Sequence, residues 1–200
     1  MICFRAIDYE TPDTPAKEAE RLKVLHDLLI LDTQPEERFD ILTAYAASLF
    51  RVPIALVTLV DSERQWFKSR CGLGATETSR DISFCGHAIL GDEIMVVNNA
   101  LQDPRFADNP LVTGEPRIRF YAGAPLVIKD GIRVGTFCLI DRIPRQLDEW
   151  EFNHLRELAA VVSEELQGVA ATTLFLQSDA CRKGCLDTTA CDSRGDDSKG

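Results

Sequence analysis

The chain has 200 residues, 45% of them hydrophobic, and carries a formal net charge of −10 at pH 7. That length suits one domain with flanking segments and a real core. The acidic balance, with no Lys/Arg run, argues against nucleic-acid phosphates or an anionic membrane as partners and leaves small molecules and proteins.

Residues 1–14 show no periodicity and read as a flexible leader, and MICFRAIDYE lacks the apolar stretch of a secretory signal. With no run near the ~18 apolar residues of a membrane span, a cytoplasmic protein is expected. From residue 15 the spacing of Leu22, Leu25, Leu28 and Leu29 predicts an amphipathic helix ending near Ile30. Thr33 and Glu36 form a capping-box pattern ahead of a second helix over 35–50, with Phe39, Leu42, Ala46, Leu49 and Phe50 at helical spacing.

After Pro53, the β-branched run IALVTLV (54–60) predicts a strand buried on both faces. A polar turn leads into RQWFKSRCG, a second strand pairing with it as a hairpin. GATETSRD reads as a loop. Ser83 is placed to cap a short helix running through Leu90, IMVVN is a short strand, and 98–117 is a long loop of the kind that more often carries function. IRFYAGAPLVI and IRVGTFCLI flank Lys129-Asp130-Gly131 as a second hairpin, with Val134, Thr136, Cys138 and Ile140 on one face. From Asp148 a long helix is predicted to about 167, where Leu155, Leu158, Val162, Leu166 and Val169 make a stripe suited to the protein's own sheet at first and to a second copy from 163 onward.

Seven cysteines, an odd number without an export signal, predict reduced thiols rather than a disulfide framework. Cys181, Cys185 and Cys191 are spaced C-x₃-C-x₅-C with no nearby histidine, short of a structural zinc pattern. Their surroundings, rich in Gly, Ser, Asp and Thr, predict a disordered tail over 177–200 and no metal site.

Together these elements describe an α+β sandwich, a central antiparallel sheet with terminal helices on one face and an irregular roof, residues 72–117, over a pocket on the other. Five ordered blocks, ILDTQPEERFD, VPIALVTLVDSERQWFKSRCGL, RDISFCGHAIL, DPRFADNPLVTGEPRIRFYAGAPL and GIRVGTFCLIDRIPR, resemble the GAF domain family, in particular members fused to diguanylate cyclases and sensor histidine kinases. The resemblance runs from Lys17 to Gln167, so one domain over 15–176 is expected. It implies a sheet of about six strands and a role in sensing small molecules. The signature of cyclic-nucleotide-binding members is not found. Bilin-carrying members place a His directly after the attachment Cys, whereas here Gly86 separates Cys85 from His87.

Cys85 would sit at the second position of a helix capped by Ser83, where the helix end favours thiolate. His87, two residues on, points to another side of a helix and is badly placed as its base. Both therefore read either as pocket wall or as structural residues of the roof. Trp66 and Phe67 alternate, so one should face the roof, and Phe84 flanks Cys85. Asp103 and Phe106 lie in the long loop, Asp103 also suiting a turn before Pro104. Arg119 and Tyr121 share a strand face and would offer a cation and a phenol to a small anionic or amphipathic ligand. The expected function is a non-catalytic sensing module binding an unidentified ligand through these residues, dimerising through its terminal helices and acting on a separate effector. The alternative is a thiol redox enzyme or sensor like the family's free methionine sulfoxide reductases, centred on Cys85 with Cys71 as resolving thiol.

Overall fold

A computed structural model describes the backbone of residues 9–186 and side chains through Gly168. Cys3, Cys191 and the side chains of Cys181 and Cys185 lie outside the described residues, as does most of the expected tail. The elements are α1 (Glu18–Asp27), α2 (Glu37–Leu49), β1 (Ile54–Val60), β2 (Arg64–Cys71), β3 (Glu77–Ser79), α3 (Phe84–Ala88), β4 (Met95–Val97), α4 (Pro110–Thr113), β5 (Phe120–Val127), β6 (Arg133–Asp141) and α5 (Glu149–Leu186). The strands form one antiparallel sheet in the order β3-β2-β1-β6-β5-β4.

The central strands are buried on both sides, and alternation along β1 shows why. Ala55, Val57 and Leu59 join a core with Leu25, Phe39, Leu155, Val162 and Leu166 from the long helices. Ile54, Leu56 and Val60 join a second core with Phe84, Ile89, Phe106 and Tyr121 on the roof side. Each buried Val, Leu, Ile or Phe among them contributes ~1.5–3 kcal/mol relative to exposure. Thr136, Cys138 and Ile140 face the roof as their spacing predicts, while Val134, of the same parity, packs with the helix-side core. The β5–β6 hairpin turns through Asp130 (φ 60°) and Gly131 (φ 76°), both in the left-handed region that Gly tolerates best.

Several expectations need correction. The capping box at Thr33 does not form: Thr33 donates to the Ile30 carbonyl and accepts from Lys68, whose Nζ also holds the Glu36 carboxylate at 2.5 Å. Glu36 is recruited by that buried cation, so it is not free to reach back along the chain. The GATETSRD loop contains β3, an edge strand paired with β2. Helix α5 runs through Leu186, past the end near 167 that the apolar stripe predicts. The described part of the leader is held on the roof. Glu10 N–H donates to the Arg105 carbonyl, and Pro12 lies where a Cβ on Gly86 would come within 2.7 Å of it.

Candidate ligand-binding site

A cavity of about 410 Å³ lies between the roof face of the sheet and the segment from 72 to 118. Its floor comes from Leu56, Phe67 and Ile140, its far wall from Phe84, Cys85 and Tyr121, and its near wall from Leu73, Leu111 and Ile118. Gln65 and Thr78 add polar atoms, and Glu115 and Arg142, both exposed, lie at its margin.

Local chemistry fixes α3 over this space. Ser83 caps it as predicted, accepting from the Gly86 amide at 2.9 Å while donating to Gln65 Oε1 at 2.5 Å. Gln65 in turn donates to Thr78 at 2.8 Å, so one buried amide ties β2, β3 and α3 together. Past the other end of α3, Arg133 Nε donates to the Ile89 carbonyl at 2.8 Å. Tyr121 is fully buried and its ring lies along its own strand over Gly123, where an added Cβ would meet the hydroxyl at 2.1 Å. This posture carries the phenol to Cys85 Sγ, 3.4 Å away, and to Thr136 Oγ1 at 3.5 Å. Cys138 Sγ lies 4.0 Å from Cys85 Sγ, and Thr58 meets Thr136 at 3.1 Å. Burial raises the Cys85 thiol, yet hydrogen bonds from Cys138, Thr136, Thr58 and Tyr121 outweigh it and bring Cys85 below the usual thiol range. Cys138 is pushed well up by burial and by its neighbour Cys85.

Of the residues proposed from sequence, Phe67, Phe84, Cys85 and Tyr121 line the cavity. Ser83 and Phe106 support it from behind, Phe106 by stacking on Phe84 at 3.9 Å. Four lie elsewhere. Trp66 points into the helix-side core, since it alternates with Phe67. The His87 Nε2–H donates to the Glu10 carbonyl, and burial holds this imidazole below the ordinary histidine range. It serves the N-terminal segment and is no base for Cys85. Asp103 binds the Arg105 amide and guanidinium, the turn role open to it from sequence. The Arg119 guanidinium is held by the Val112 and Ile118 carbonyls, so the cation lining the cavity is Arg142. Sequence reasoning missed Gln65, although its parity with Phe67 already placed it on the roof face. It also missed Leu73 and Leu111, which lie in a loop and in a four-residue helix too short to show a period, and Ile118, which just precedes β5.

The family model for the GAF domain matches residues 34–166. Over 163 residues the sequence is 43% identical to a cyclic di-GMP phosphodiesterase of Pseudomonas aeruginosa, covering 81% of this chain and 28% of that protein. The chain thus spans well under a third of that relative's length. Among solved structures, the fold is similar to the GAF domain of a phosphoenolpyruvate-protein phosphotransferase from Coxiella burnetii (TM-score 0.59, 14% identity, 80% of this chain and 99% of that one). It is also similar to the free methionine-R-sulfoxide reductase of Neisseria meningitidis (TM-score 0.55, 20% identity, 84% and 98%). Sheet order, roofed cavity and sequence agree that the chain belongs to the GAF domain family.

Proposed function

We propose that this domain is a non-catalytic sensor of a small, largely apolar molecule with one polar end, bound in the roofed cavity. The observation that carries the reading is the cavity itself. Its volume lies in the range of ligand sites, and its apolar walls end in a few polar groups at Gln65, Thr78 and Arg142. The polar groups around it support binding over turnover. Gln65 is engaged by Ser83 and Thr78, and His87 is turned toward Glu10.

The likeness to a phosphodiesterase of cyclic di-GMP supports a regulatory role in signalling, with output passed to an effector within a longer protein or on a separate one. No helix among the described residues is long and apolar enough to cross a membrane. Dimerisation through the helical face is supported by Ile41, Tyr45 and Val161, large apolar residues left exposed on α2 and α5.

Native mass spectrometry beside a denatured control tests the ligand reading. An added mass is expected only in the native spectrum, and it should be lost in Leu73→Trp, which fills the cavity. A bare native mass, with no shift on adding a metabolite extract, overturns the reading.

A further inference from the structure

Beneath the cavity the structure brings together two thiols that no ligand-binding role requires. Cys85 and Cys138 are free cysteines 53 residues apart in sequence, one on α3 and one on β6, with sulfurs in contact at 4.0 Å. The sequence reading paired Cys85 with Cys71 as resolving thiol, on sequence proximity alone. Cys71 instead stands on β2 opposite Ala55 and is half-buried, while the sulfur that meets Cys85 is that of Cys138. Cys85 also lines the cavity, so a reagent small enough to enter can reach this residue.

The geometry points to a thiol oxidation site in which a small hydroperoxide enters the cavity and converts Cys85 and Cys138 to a disulfide. Cys85 Sγ attacks the terminal peroxide oxygen and the O–O bond breaks. An alcohol, or water from hydrogen peroxide itself, leaves with the thiol proton and Cys85 becomes a sulfenic acid. Cys138 Sγ then attacks Cys85 Sγ, the S–O bond breaks, and hydroxide departs with the Cys138 proton as water. The two thiols give up two electrons in all and the peroxide accepts them, so no further reductant or oxidant is needed. Tyr121, whose hydroxyl donates to Cys85 Sγ, and Thr136 beside it stabilise the attacking sulfur.

Closing the bond takes the sulfurs from 4.0 Å to ~2.05 Å, so the start of α3 is drawn toward β6 and one wall of the cavity moves. Oxidation thereby becomes a second input to the same roof. The thiol chemistry rests on the sulfur contact and the sensor reading on the cavity's volume and lining, so either can fail without the other.

The test is a thiol map of the purified full chain after hydrogen peroxide, with free thiols blocked by N-ethylmaleimide during denaturation and a dithiothreitol-reduced sample alongside. A cross-linked peptide joining Cys85 to Cys138, lighter by two hydrogens and lost on reduction, is expected. In Cys138→Ser the cross-link should vanish and dimedone should trap a sulfenic acid at Cys85. The inference is overturned if Cys85 and Cys138 are both recovered as blocked thiols at a peroxide dose that oxidises Cys71. It is equally overturned if Cys85 pairs with Cys71. The wild-type map decides the question even where a variant fails to fold.

Discussion

Tyr121 depends on a hydrogen atom two residues away. Its ring occupies the space where any side chain at 123 would begin, so a methyl group there must push it from its present seat. Gly123→Ala is therefore expected to destabilise the protein by ~1–3 kcal/mol, read as a lower urea midpoint with unchanged slope. Glu18 is a second such residue. It accepts from Arg21 at 2.7 Å and from Arg80 at 2.6 Å. Burial pushes its carboxyl up, but the two guanidinium groups outweigh this and bring it from 4.5 to about 2. A lowered carboxyl stabilises the fold fully above its ordinary pKa, and that contribution is lost as pH falls from 4.5 toward about 2. Glu18→Gln should cost about 2 kcal/mol at neutral pH and flatten the loss of stability across that acid window, measured by denaturation at a series of pH values. Neither dependence was legible in the sequence, since Gly123 looks like any strand glycine and Arg80 is 62 positions from Glu18.

Elements were more legible than their ends. β1 could be read because seven consecutive apolar or β-branched residues suit only a strand buried on both faces, and Ser83 because its cap depends on residues three positions away at most. β3 could not, because Glu77-Thr78-Ser79 is polar throughout, unlike the apolar Met95-Val96-Val97 of the other edge strand, β4. The irregularity in β2 was equally hidden. Val57 pairs with Ser69 and Thr58 with Phe67, so Lys68 is the extra residue, and Ser69 is turned back to meet Thr43 and Asp40 of α2. Helix α5 begins with a reciprocal cap in DEWE, where Asp148 accepts from the Glu151 amide at 2.8 Å and Glu151 from the Asp148 amide at 3.0 Å. Asp148→Ala should lower stability by about 1 kcal/mol, seen in thermal unfolding, without changing the oligomeric state.

At the scale of the molecule, α2 and α5 lie side by side in opposite directions. Arg38 near the start of α2 reaches Glu165, close to the middle of α5, and Arg145, just before α5, binds the carbonyls of Phe50 and Arg51 that follow α2. Ile41, Tyr45 and Val161 remain exposed on this pair. If this face joins two copies, Ile41→Glu with Val161→Glu should convert dimer to monomer in sedimentation velocity, and a monomeric wild type would remove the basis for the interface. The cavity was legible as a place, between sheet and roof, because the second core is announced by the alternation in β1 and β6. Its polar contacts were not, since the direction of Arg119, Asp103 and His87 is decided by neighbouring carbonyls and side chains brought together only by folding.

A sheet packed tightly on both faces is a stiff partition, and close-packed cores yield little to a push from one side. Arg80 offers a way around its rim. It belongs to the segment leading into α3, yet its guanidinium rests on Glu18 of α1 and on the carbonyls of Asp61 and Ser62. News from the cavity therefore need not cross the wall, because a roof that shifts Arg80 must either drag the first helix with it or let it go.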